Sequence, residues 1–200
     1  MSPTTRLFGL TNAALHDFGV GLWLTYLLAK GLDVHVSYWC YLAGMAFSVL
    51  PDADIVVGAL LKRMGVKIKH HRDLFHFPIL FVPVVVAVTV LIAQWLHGNQ
   101  LFWGLLAFTC LIMHFVHDST GEANGCGLTW LGPFSPTFYR LFGTANGRRY
   151  LVRAIPGDVV LGYYSKTVDE WLIEYYVRLT PEALLGQWLF VSGVVLALFS

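Results

Sequence analysis

The chain has 200 residues, 56% of them hydrophobic and only 12% charged, with a formal net charge of +1. Soluble domains carry roughly 25% charged residues, so this composition and a mean hydropathy of +0.63 exclude an ordinary soluble protein. A charge balance so close to zero also gives no footing to nucleic-acid binding. The expected class is all-α: a polytopic membrane protein formed as a single integral membrane domain.

A hydrocarbon core of about 30 Å is crossed by about 20 mostly apolar helical residues. Five stretches predict such spans, at 7–29, 34–51, 77–96, 98–116 and 183–200. The first is interrupted only by Asp17, with His16 beside it. A single basic residue, Arg6, precedes it and no small-residue cleavage site follows, so no cleaved signal peptide is expected. The second closes on Leu-Pro-Asp-Ala-Asp, where Pro51 predicts a helix break that frees Asp52 and Asp54 from opposite faces.

The third span holds no Asp, Glu, Lys or Arg and is preceded by His70, His71, Arg72, Asp73 and His76. His71 and His76 lie about 140° apart on a helix, so both reach one centre only if the helix begins between them. The fourth ends on His114, His117 and Asp118, with His114 and Asp118 at i, i+4 on one face. The segment 119–181 follows. Its first part, 119–147, is rich in Gly, Pro and aromatics and predicts an ordered, membrane-hugging loop, with Trp130, Phe134, Phe138 and Tyr139 suited to the headgroup level. Thr167-Val-Asp-Glu then has capping-box spacing. Behind it Trp171, Leu172, Tyr175, Tyr176 and Leu179 share one side, which predicts an amphipathic helix lying in the interface or packed on the loop. Thr180-Pro181 supplies an N-cap and a first-turn proline for the last span.

With a cytoplasmic N-terminus, five crossings leave every Lys and Arg except Lys30 in cytoplasmic segments, 12 of the 13 in the chain. That satisfies the positive-inside rule, and 119–181 is then a cytoplasmic loop region. Cys40, Cys110 and Cys126 show no C-x-x-C spacing, so neither a disulfide framework nor a thiolate zinc site is indicated.

In this topology four segments deliver acids and imidazoles to one leaflet. Each group has a plain structural reading: capping for Asp52 and Asp54, a hydrogen-bonded pair for His114 with Asp118, interfacial polarity for His35 and His97. Asp17 and His70 each neighbour a better-placed candidate. Taken together, the four segments favour a divalent-metal site, because neutral imidazole and carboxylate are the ligands such ions take and ionisable groups in membranes mark function.

The order of these motifs resembles the bacterial inner-membrane metal-dependent hydrolase family, YdjM-like. Its pattern is an early His, an L-P-D-x-D element, an H-R-G-x-T-H element, an H-x-x-x-D-x-x-T element and a Trp-Pro-Phe segment. The resemblance covers about residues 10 to 136 and falls on His16, Asp52, Asp54, His71, Arg72, His76, His114 and Asp118. Gly127-Leu-Thr-Trp-Leu-Gly-Pro-Phe-Ser-Pro136 stands at the Trp-Pro-Phe position. Asp73 and Phe75 replace the family's Gly and Thr, and Thr120 falls two positions after Asp118 instead of three. The family is distantly similar to zinc-dependent phospholipase C and P1-type nucleases, which implies clustered metal and phosphoester cleavage.

The expected site therefore has His16, Asp54, His71, His76, His114 and Asp118 as ligands, with Asp52 bridging or supporting them. Arg72 is suited to hold a phosphate, Glu122 to act as general base, and His117 to orient a ligand from behind. The cofactor is two or more divalent ions, zinc first and manganese or iron as alternatives. The partners are membrane lipids and an amphiphilic substrate, at the cytoplasmic surface of a bacterial inner membrane. Two rivals stand beside this reading. A membrane di-iron oxygenase also clusters histidines at span ends, and a divalent metal or proton transporter also needs ionisable groups.

Overall fold

The computed structural model describes residues 1–66, 75–120, 127–145, 147–160, 168–178 and 180–200. In chain order the elements are α1 (Pro3–Gly31), α2 (Tyr38–Val49), a 3-10 turn (Leu50–Asp52), α3 (Ala53–Arg63), α4 (Pro78–Trp95) and α5 (Gln100–Ser119). After them come strands β1 (Phe138–Ala145) and β2 (Arg148–Ile155), short helices α6 (Gly157–Val160) and α7 (Val168–Leu172), a π turn (Ile173–Val177) and α8 (Pro181–Leu198). The structure is mostly helical, as expected, but the β hairpin corrects the all-α expectation.

Among the described residues, four stretches are long and apolar enough to cross a membrane: Tyr38–Leu61, Pro78–Trp95, Gln100–Ser119 and Pro181–Leu198. The fifth expected span, at 7–29, is helical but is not among them. The second also differs from its expected bounds of 34–51. Its helical path runs on through the 3-10 turn, because Ile55 to Leu61 resumes an apolar helix beyond the two aspartates. Asp52 and Asp54 thus lie inside that path, not after it.

The chain divides into two compact units. The first comprises Met1–Val49, Val86–Cys110 and Lys166–Ser200, and is organised on α1. Ser2 caps that helix, its hydroxyl accepting from Thr5 N at 3.1 Å, and Pro3 stands in the first turn, where its missing N–H costs nothing. α1 packs on α2 and α8 through small residues. A Cβ on Gly19 would lie 2.6 Å from the backbone of Leu189 and Phe190, and Gly21 meets Gly44 of α2 backbone to backbone. Glycine is what permits both approaches, as in membrane helix pairs generally.

Neutral hydrogen bonds complete these contacts. Asn12 Nδ2 donates to Tyr176 O at 2.9 Å, Gln187 Nε2 donates to Asn12 Oδ1 at 3.2 Å, and Trp23 Nε1 donates to Ser192 Oγ at 3.0 Å. Phe102, Leu106 and Cys110 of α5 bury against Ala29 in the apolar core. The amphipathic helix expected at 167–179 appears as α7 and the π turn. Its apolar residues Leu172 and Tyr176 are buried, packed on α1, while Asp169 pairs with Arg6 Nε at 3.4 Å. Thr180 caps α8, accepting from Ala183 N at 3.3 Å.

The second unit comprises Leu50–Val85 and Leu111–Ser165. Here the loop after α5 is tied to two helix ends. Trp130 Nε1 donates to Ser119 Oγ at 2.8 Å, and Ile79 N donates to Trp130 O at 3.4 Å. Leu128 then exchanges backbone hydrogen bonds with Tyr139, which joins the loop to β1. β1 and β2 pair antiparallel from Phe138↔Ile155 to Ala145↔Arg148. Asn146-Gly147 joins them, with Gly147 at φ +73°.

Candidate metal centre

Three chain segments of the second unit bring five ionisable side chains together. Asp52 ends the 3-10 turn at Pro51, and Asp54 lies in the first turn of α3. On a continuous helix residues two apart point about 200° away from each other; the turn removes that separation. His76 stands just ahead of Pro78, which opens α4. His114 and Asp118 share a face on the last turns of α5.

The two aspartates grip one imidazole at its two nitrogens. His76 Nδ1 lies 2.6 Å from Asp54 Oδ2, and His76 Nε2 lies 3.6 Å from Asp52 Oδ1. The same Nε2 is 3.1 Å from Asp118 Oδ2. His114 Nε2 closes the group, 3.7 Å from Asp52 Oδ1 and 3.7 Å from Asp118 Oδ2. Asp52, His76 and His114 thus face one small space, with Asp118 Oδ2 beside the two imidazoles at its edge.

Those separations decide between a hydrogen-bonded cluster and a metal site. A contact of 3.6 Å or more is not a hydrogen bond. Ligand atoms about 2.0–2.1 Å from a tetrahedral ion lie about 3.3–3.4 Å from one another. The four separations of 3.1 to 3.7 Å straddle that value. The 2.6 Å contact at Nδ1 is the different one: it is a hydrogen bond that fixes the ring from behind, as carboxylates do for metal-ligating histidines.

Burial and charge agree with a cation. Asp54 is 0% exposed, His76 1% and His114 2%. Three carboxylates gathered in one cluster favour a positive counter-charge, which a bound ion or a protonated imidazole supplies. The donor set, two imidazole nitrogens and two carboxylate oxygens, is one that zinc, manganese and iron accept. The residues present fit a single divalent ion. Phe115 lies edge-on to both imidazoles, with ring centroids 5.9 Å from His76 and 5.7 Å from His114. Phe81 packs on Phe115 behind them. This aromatic backing lowers the local dielectric and strengthens the electrostatics in front of it.

Asp52, His76 and His114 form a group whose ligand atoms all lie within 4.8 Å of one another. The other sequence candidates fall elsewhere. His16 belongs to the first unit, where its Nδ1 lies 3.7 Å from Asp17 Oδ1. His117 is half-buried one position before Asp118. His71, Arg72 and Glu122 lie outside the described residues. Within the group Asp52 faces the shared space and Asp54 holds His76. The reason is the 3-10 turn, which aims the first acid forward and leaves the second behind the ring. That turn was foreseeable from Pro51, but which acid it would bring forward was not.

Comparison with known proteins gives one match. A family model described as YdjM inner membrane protein matches residues 14–197. No curated protein and no solved structure matches the chain.

Proposed function

The chain belongs to the YdjM inner membrane protein family, and from that premise we propose that it is a membrane-bound, metal-dependent hydrolase of phosphoesters. The observation that carries this reading is the convergence of Asp52, His76, His114 and Asp118 at ligand–ligand separations, with Asp54 clamped on the far nitrogen of His76. A structural ion pair needs neither two imidazoles nor a third carboxylate behind them.

The chemistry a divalent ion supplies in such a setting is Lewis-acid polarisation of an ester oxygen and a water of lowered pKa. The chain's own residues do the rest. His76 and His114 offer Nε2, and Asp54 holds the proton on Nδ1 of His76, which fixes that tautomer. Asp52 has a side chain 42% exposed, against 10% for Asp118 and 1% for each histidine. It is the member that meets solvent, and so the one placed to accept a proton from an approaching water. Phe115 and Phe81 exclude water from the opposite side.

Zinc is the first choice of metal, with manganese and iron compatible with the same donors. Arg72 takes the anion-holding part, and Glu122 shares the general-base part with Asp52. His76 precedes the apolar helix α4, and His114 and Asp118 close the apolar helix α5, which supports a substrate presented at the membrane surface. A phospholipid or another amphiphilic phosphoester is therefore the substrate class, reached from the cytoplasmic leaflet.

The test is hydrolysis of phospholipids by the protein in nanodiscs, followed by mass spectrometry of the products. The expected result is turnover that stops on chelation, returns with zinc or manganese, and is absent in His114→Ala. Cleavage of soluble phosphodiesters with lipids untouched would overturn the substrate class. Oxygen consumption by an iron-loaded protein, or metal flux into proteoliposomes without hydrolysis, would replace the hydrolase reading with one of its rivals.

A further inference from the structure

Apart from the metal centre, the most unusual feature of the second unit is the surface of its hairpin. From Gly127 to Gly157 the sequence has no Asp or Glu but carries Arg140, Arg148, Arg149 and Arg153. Arg140 and Arg153 are direct cross-strand partners. Their side chains therefore leave the same face, with Arg140 half-buried and Arg153 exposed. Thr144↔Arg149 shares that parity, which adds a third guanidinium to the face.

The same hairpin exposes apolar side chains. Phe142 is 62% exposed, Leu151 73% and Val152 58%, with Phe134 of the preceding loop at 75%. Phe142 is held at φ +45°, a left-handed backbone that a bulky residue adopts at a cost. Strain that keeps an aromatic ring outside is a sign that something receives it. A two-stranded ribbon alone is also marginal in water. Its attachment says what lies next to it: Trp130 binds Ser119 at the end of α5 and Ile79 at the start of α4, and Leu128 passes that anchorage on to Tyr139. Both helices are long and apolar enough to cross the membrane, so the hairpin departs from span ends.

We propose that the hairpin 138–155 is a docking element for the anionic phospholipid surface of the membrane. Arg149 and Arg153 engage lipid phosphates, and Phe142 and Leu151 enter the acyl boundary beside them. Guanidinium matches phosphate by a planar, forked geometry. Basic residues beside apolar ones are what interfacial segments use to bind anionic leaflets. The proposal does not depend on the metal centre or on hydrolysis.

The experiment is hydrogen exchange by mass spectrometry on the whole protein in nanodiscs of phosphatidylcholine alone or with phosphatidylglycerol. Peptides from 138–155 should exchange at least about tenfold more slowly with the anionic lipid, and 0.5 M salt should remove most of that protection. An Arg149→Gln, Arg153→Gln variant should lose the difference between lipids, and Phe142→Ser with Leu151→Ser should reduce it. If either variant proves unstable, the lipid and salt dependence of the wild type decides alone. Equal exchange in both lipids would overturn the proposal. So would equal protection by soluble glycerophosphoglycerol or by added RNA in neutral nanodiscs, since the ligand would then not be a membrane surface.

Discussion

The two units place polar side chains in an apolar setting in opposite ways. The first uses amides, an indole and hydroxyls: Asn12 with Tyr176 and Gln187, and Trp23 with Ser192. Each is a neutral donor matched to a neutral acceptor, and the glycines beside them let the helices close up. The second gathers three carboxylates and two imidazoles around one space, with separations too long for hydrogen bonds on three of five contacts. Neutral pairs hold helices together and ask for no partner. An acidic, imidazole-lined space favours a positive charge, so the contrast sets polar groups that join helices against polar groups suited to a ligand.

Several substitutions would break or sharpen that contrast. The largest effect should come from His76→Ala or Asp118→Ala, which removes a donor outright. Zinc affinity of the purified protein, read by competition with a chromogenic chelator, should drop by at least about 100-fold. Asp54→Ala leaves all four donors and removes only the clamp on Nδ1. It should cost about 10–100-fold in affinity, and an unchanged affinity would show that His76 is held by packing alone.

Effects in the first unit should be on stability and leave metal stoichiometry untouched. Gly19→Leu forces a side chain against the backbone of α8, and thermal unfolding in detergent should report a loss of about 1–3 kcal/mol. Asn12→Ala should be milder, about 0.6 kcal/mol, the average for hydrogen bonds between membrane helices. If Asn12→Ala also lowered metal content, the division between packing and chemistry would not hold.

Much of this was legible in the sequence because apolar length and ionisable residues are strong signals. All five members of the metal group stand out as acids and histidines beside uncharged runs, and Pro51 marks the turn that frees the aspartates. Which side of His76 each aspartate would take was not legible, since a break says that two residues part but not which one turns inward. The helix beyond them was hidden for a related reason: two charges at 52 and 54 looked like an end, although an apolar helix resumes at Ile55. The hairpin had a usable signal in Asn146-Gly147, a dipeptide suited to two-residue β turns. Its flanks read Phe-Tyr-Arg-Leu-Phe and Arg-Tyr-Leu-Val-Arg. The Gly, Pro and aromatic content of 119–147 pointed to an ordered loop at the membrane instead.

The unequal exposure of the metal group also has a kinetic side. Asp54, His76, His114 and Asp118 are all buried, and only the side chain of Asp52 reaches solvent to any extent, at 42%. A chelator cannot surround an ion seated there; it has to begin at one carboxylate and work inward. Release should therefore be slow and first order, with a rate that does not rise with chelator concentration once Asp52 has let go. An ion captured while the chain folds in the membrane would tend to stay for the life of the molecule, so the metal found in the purified protein would reflect the cell's supply at the time of synthesis.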